Sequence, residues 1–228
     1  MTRFRALPWS VLPLICLVTT AASAAEVLSV QATRHGAAVS VGLRIALNEP
    51  APAIFRALLR YGAMGRYEPD LRAIHIETTA DPNRVRLFLT LHTCVLLFCK
   101  TLRQEQIMTA TPDAGGGVVQ AQFVAASGAF SGNGRWVVAP CMAHQGKACM
   151  DVRIDLTPLF WVPPMIGPWL IRRKMYEQAL HISTGLEQLA QQAARQAVTA
   201  PGRAVGPVPT RFAAAVAVPA RCTGRSDR

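Results

Sequence analysis

The side chains able to do chemistry are scattered along this sequence. Five histidines, His35, His75, His92, His144 and His181, stand far apart. There is no HExxH pair to hold a metal, no GxSxG nucleophile turn and no glycine-rich phosphate cradle. The run GGG at 115–117 reads as a hairpin turn. Cysteine is the more telling residue type. Cys16 sits in the first apolar run, leaving Cys94, Cys99, Cys141, Cys149 and Cys222. Their spacings, C-x4-C and C-x7-C, do not match the usual zinc patterns. The expectation is no catalytic residue, no metal and no cofactor. Two polar features remain to be placed. One is the amide pair Gln104 and Gln106, which can orient a ligand or reach water at a sheet edge but cannot act as general acid or base. The other is the cation cluster Arg172, Arg173 and Lys174.

The ends of the chain set the context for these residues. Arg3 and Arg5 precede an apolar run from Leu7 to Thr20 that ends in the small residues AASAA. That pattern predicts a secretory signal peptide over 1–24. An N-terminal membrane helix is the alternative, although a spanning helix needs about 20 apolar residues. An exported chain favours disulfides and makes nucleic acid a poor partner. The formal net charge is +11. Arg3 and Arg5 account for two of these charges, and six arginines against Asp227 after Gln191 account for five, so the middle of the chain holds only +4. Residues 196–228, rich in Ala, Pro, Gly and Arg, are expected to be a disordered basic tail able to touch an anionic surface. The domain is then 25–195, a length that suits one core, and a monomer is expected.

The cysteines become informative once strands are drawn around them. RVRLFLTLHT (84–93) alternates, with Val85, Leu87, Leu89 and Leu91 on one face, which is a half-buried strand. KTLRQEQIMTA (100–110) reads as its partner. Pairing Cys94 with Cys99 puts Leu91 opposite Leu102, Leu89 opposite Gln104, Leu87 opposite Gln106 and Val85 opposite Met108, so the apolar face of one strand meets the more apolar face of the other. Cross-strand Cβ atoms lie about 4.5–5.5 Å apart and a disulfide wants about 3.5–4.5 Å, so the link is feasible. By the same reasoning GRWVVAPC (134–141) and CMDVRIDL (149–156) form a hairpin closed by Cys141–Cys149. Direct pairing of those cysteines would set Val138 against Val152, Trp136 against Ile154 and Arg135 against Asp155. Cys222 is left over in the tail.

Further strands are predicted at 117–124, at 71–79 and over 27–47, the last as one long strand or two broken near Gly36. Between them, Pro52 suits a first helical turn, and Ile54, Phe55, Leu58, Leu59 and Met64 follow at helical spacing. Near the end, Pro163, Pro164, Gly167 and Pro168 interrupt an apolar run too short to span a membrane. A helix starting around 166–168 follows. Its apolar stripe is Met175, Ala179, Ile182, Leu186, Leu189 and Ala193, with Arg172, Lys174, Gln178, Glu187 and Gln188 opposite. The prolines end the last strand, and the helix then covers the apolar face of an antiparallel sheet.

Two stretches carry a likeness to known proteins. EPAPAIFRALLRYGAMGRYEPDLRAIHI resembles the helix and D-Y…P-x-L segment of the START-like (SRPBCC) helix-grip superfamily. FWVPPMIGPWLIRRKMYEQALHISTGLEQLA resembles its proline-marked start of the last helix. The superfamily includes polyketide cyclase/dehydrase-like, coenzyme Q-binding and lipid-transport proteins, and the likeness covers about residues 26–193. It implies an α+β helix-grip fold, with a curved antiparallel sheet wrapped around a long C-terminal helix and two short helices after the first strand. The signal peptide, the paired cysteines and the basic tail depart from the commoner members.

The resemblance also implies a deep apolar cavity holding a lipid, a quinone or a polyketide-like molecule. By strand parity its wall would include Leu87, Leu89, Leu91 and Gln104 with Gln106. Phe123, Trp136, Val152 and Ile154 would follow on the later strands, and Trp169 and Met175 on the helix. Arg172, Arg173 and Lys174 would be a headgroup-docking patch at its mouth, or simply an exposed helix turn. The expectation is an exported, periplasmic binding protein. The alternatives are a cyclase/aromatase-type enzyme and a scaffold whose cavity is filled by its own side chains.

Overall fold

The computed structural model describes residues 25–95, 98–142, 145–162 and 167–199. Strands β1 (Glu26–His35) and β2 (Ala38–Leu47) form a hairpin that reverses at Gly36, so the 27–47 segment is two strands. Helix α1 (Ala51–Leu58) follows with Pro52 in its first turn, and then a 3-10 turn over Tyr61–Arg66. Strands β3 (Leu71–Thr78), β4 (Arg84–Val95), β5 (Phe98–Asp113), β6 (Gly116–Val124), β7 (Phe130–Pro140) and β8 (Ala148–Pro158) lead to the long helix α2 (Pro168–Thr199). All eight strands lie in one antiparallel sheet in the order β1-β2-β8-β7-β6-β5-β4-β3. The sheet curves around α2, which is the START-like helix-grip fold. No helix among the described residues is long and apolar enough to cross a membrane.

The β4–β5 register is the one predicted, from Val85 opposite Met108 to Cys94 opposite Cys99. The β7–β8 register differs by two residues. Trp136 faces Val152, Val138 faces Met150, Arg135 faces Arg153, and Cys141 lies past the last paired position. The two disulfides form as expected, with Cα atoms 4.0 Å apart for Cys94–Cys99 and 4.8 Å for Cys141–Cys149. The second bridge is diagonal, so it fixes the hairpin without fixing direct opposition. A shift of two preserves the face on which each side chain lies, because the strand period is two. The expected inner-face residues therefore survive, while the expected Arg135–Asp155 pair does not.

The last helix is longer than the stripe that predicts it, running through residues 196–199, which were assigned to the tail. Its centre holds: Ala179, Leu186 and Leu189 are buried against the sheet. Its flanks differ, because the sheet and the α1–β3 segment close on both sides. Glu187 accepts from the Asn48 backbone N–H at 2.7 Å. Lys174 Nζ lies 3.3 Å from Asp70, and the Gln178 amide donates to Glu68 at 3.3 Å. Lys174 and Gln178 thus dock on the α1–β3 loop rather than facing water. Gly185 is buried because it packs on Tyr67, and a Cβ there would collide with that side chain. Pro163, Pro164, His144, Cys222, residues 1–24, where a signal peptide is expected, and the residues beyond Thr199 lie outside the described residues.

Candidate functional site

The inner face of the sheet is apolar apart from Gln104 and Gln106, and it is not uniformly covered. At the α1 end, Ile45, Val138 and Met150 stand side by side and are at most 1% exposed. Ile54, Phe55 and Leu58 of α1 close this end. Toward the other end the cover thins. Phe123, Trp136 and Ile154 are only half-buried, as are Leu91, Gln106, Met175 and Ile182. The Trp136 ring lies over Gly134, where a Cβ would stand 2.7 Å from it and 3.5 Å from the Phe123 ring. A glycine there leaves room for both aromatic rings on the inner face.

The candidate wall residues therefore divide. Leu87, Leu89 and Val152 are fully buried members of the packed core. Leu91, Gln106, Phe123, Trp136, Ile154 and Met175 form the less covered end. Gln104 faces inward and is 2% exposed, but its amide serves the backbone. It donates to the Glu105 carbonyl at 2.8 Å and accepts from the Phe130 N–H at 2.8 Å, which pins the β6–β7 connection. Trp169 lies outside the interior and is 64% exposed.

Trp169 belongs to a different surface. A cleft of about 620 Å³ runs between edge strand β1 and the first turns of α2, lined by Val27, Leu28 and Val30 on one side and Trp169, Tyr176 and Leu180 on the other. Arg172 and Arg173 border it, and Arg173 pairs with Glu177 at 3.3 Å. Trp161, 74% exposed, and Leu159, 50% exposed, are further exposed apolar side chains just after β8. The β8–α2 connection is anchored where Phe160 packs edge-on against Phe130 and Lys100 sits 4.2 Å above the Phe160 ring. A smaller depression of about 280 Å³ crosses β3, β4 and β5 at Ile74, Leu89 and Gln104.

The sequence reading missed an ionisable cluster beneath the helix flank. Tyr61 and Tyr67 are buried, and burial raises both phenols above their ordinary range. Burial also raises the Glu68 carboxyl, with the Asp70 charge adding to this and Lys174 and Gln178 opposing it. The Tyr67 hydroxyl is buried without a hydrogen-bond partner, and Asp70 Oδ2 is buried with the Lys174 ammonium 3.3 Å away as an ion pair but not a hydrogen bond. These residues fall in a loop rather than a strand, so strand parity could not find them. The pattern Y-E-P-D before an apolar strand was the available signal.

No protein-family model matches the sequence, and no curated protein matches it. Solved structures do. The lipid transfer and protein localization domain of human StarD13 (DLC2) is similar at a TM-score of 0.53 and 10% identity, over 72% of this chain and 85% of that one. Human STARD10 matches at 0.51 and 6% identity, over 75% and 76%. TTHA0849 from Thermus thermophilus matches at 0.51 and 17% identity, over 68% and 99%. At these identities the likeness establishes the fold, a START-like helix grip.

Proposed function

We propose that this protein binds a hydrophobic small molecule at the less covered end of the inner face. The observation that carries this reading is a group of half-buried apolar side chains, Phe123, Trp136 and Ile154, on an inner face whose other apolar residues are mostly buried. A scaffold with no ligand would gain by covering Phe123, Trp136 and Ile154 as completely as Ile45 and Met150, since each fully buried large apolar side chain is worth about 1.5–3 kcal/mol. Exposed Trp161, Trp169 and Tyr176 with Arg172 and Arg173 supply the amphipathic and cationic groups that suit an anionic lipid surface. The likeness to a lipid transfer domain is consistent with this class of ligand. With two disulfides and an N-terminal segment of signal-peptide type, the setting we infer is exported.

Solvent extraction of the purified protein followed by mass spectrometry tests the reading. One apolar molecule per chain is expected. An empty protein in which Ile154→Ala costs as much stability as Ile45→Ala would instead make this end ordinary core. A catalytic reading rests on Glu68 and Tyr67, which place a carboxyl raised by burial beside an unpartnered hydroxyl. It requires that Glu68→Gln abolish turnover of a bound ligand while leaving its affinity unchanged.

A further inference from the structure

We infer that the tip of the β4–β5 hairpin is a thiol-dependent binding site for a soft metal ion such as zinc(II), closed by the Cys94–Cys99 disulfide and opened by its reduction. The register builds it. His92 and Cys94 lie two apart on β4 and so share a face, and directly across from them stand Thr101 and Cys99 of β5. The ligating atoms of His92, Cys94 and Cys99 lie within 4.8 Å of one another, and His92 Nε2 is 3.9 Å from Cys94 Sγ. Among the described residues no other three His, Cys, Asp or Glu side chains meet in this way.

The histidine is also held in a useful orientation. Its Nδ1 is 3.0 Å from the Thr101 hydroxyl. With Nδ1–H donating to that hydroxyl, the lone pair of Nε2 points toward the sulfurs. A ligating imidazole is normally fixed through its other nitrogen in this manner, which sets the tautomer and raises the basicity of the ligand. Two thiolates and one imidazole are the donors that zinc takes, and three protein ligands leave a fourth position for water. The cysteines are exposed at the tip, so that position faces solvent.

The chemistry balances with a small dithiol as reductant. The dithiol gives two electrons and two protons to the Cys94–Cys99 bond and leaves as its own cyclic disulfide. Zinc then binds both sulfurs and displaces the two thiol protons into water. The disulfide and the metal are mutually exclusive states of one pair of sulfurs. The second pair serves as an internal comparison, because Cys141 is buried whereas Cys94 and Cys99 are exposed.

The test is a cobalt(II) titration of the full chain, oxidised and dithiol-reduced, followed by thiolate-to-cobalt charge-transfer absorption and competed with zinc. One equivalent should bind to the reduced chain and none to the oxidised chain. Cys94→Ser should abolish the signal, and Cys222→Ser should leave it unchanged. His92→Ala should weaken zinc at least tenfold. Thr101→Val, which removes only the hydrogen bond behind the imidazole, should weaken it about 10–100-fold. Signal that persists in Cys94→Ser, or is indifferent to His92→Ala, overturns the inference. So does a reduced chain that binds no cobalt, or that loses its near-ultraviolet circular dichroism on reduction.

Discussion

The two ends of the inner sheet face are made from the same strands yet treated differently. At one end Ile45, Val138 and Met150 are sealed by α1. On later rows of the same strands Phe123, Trp136 and Ile154 remain half-buried. In sequence the two ends look alike, since both alternate apolar and polar residues. What separates them is α1, which closes the end at Ile45, Val138 and Met150. Closed packing supplies stability, and the half-buried end is where we place the ligand.

That comparison can be broken by substitution. The largest effect is expected at the closed end, where Leu186→Ala or Ile45→Ala should cost about 2–5 kcal/mol. Met175→Ala and Ile154→Ala should cost clearly less in a ligand-free melt, and the loss should appear as weaker ligand binding. Equal melting losses at both ends would erase the distinction. Next comes Gly185→Ala, which drives a methyl into Tyr67 and should cost about 1–3 kcal/mol by overpacking. Insensitivity in a denaturant titration would mean that the helix does not sit this close to the α1–β3 segment.

The flank of α2 should respond to pH as well as to mutation. Glu68 has a raised carboxyl, so the folded state holds a proton that the unfolded chain has already lost. Stability from this group is full below the unfolded carboxylate range and is lost as pH rises through the raised value. Glu68→Gln should flatten that fall, as read from melting temperatures across the mildly acidic range. An unchanged slope would show that the carboxyl is solvated. Lys174→Ala removes the cation facing Asp70 and should cost about 1–3 kcal/mol, more than a solvated lysine would. The smallest effect on stability belongs to the outer surface. Reversing the charge of Arg172 and Arg173 should change stability by no more than about 0.5 kcal/mol while weakening flotation with anionic vesicles, most visibly at low salt.

Much of the fold is legible in the sequence because sheet parity is robust. Val85, Leu87 and Leu89 face inward as their alternation requires, and a two-residue error in the β7–β8 register left Trp136 and Ile154 on the expected face. The diagonal geometry of Cys141–Cys149 was not legible, because a bridge at a hairpin end tolerates either opposition or offset. The helix flanks were not legible either. Lys174 and Gln178 look like solvent residues on a wheel, and only the three-dimensional position of Glu68 and Asp70 makes them partners. Trp169 reads as apolar wall, yet it precedes the turn at which α2 reaches the sheet interior. Gln104 reads as a ligand contact, yet the backbone groups of Glu105 and Phe130 occupy its amide.

The central claim, that an apolar molecule reaches the half-buried end of the inner face, can be measured at Trp136. The sequence has four tryptophans, so W9F, W161F and W169F leave Trp136 as the only reporter. Titration with a brominated fatty acid should quench this tryptophan saturably at one molecule per chain. The quenching should be lost in Ile154→Asp, a variant checked for folding by its melt. Quenching that is absent, or that rises linearly without saturation in both proteins, would contradict a binding site at this end.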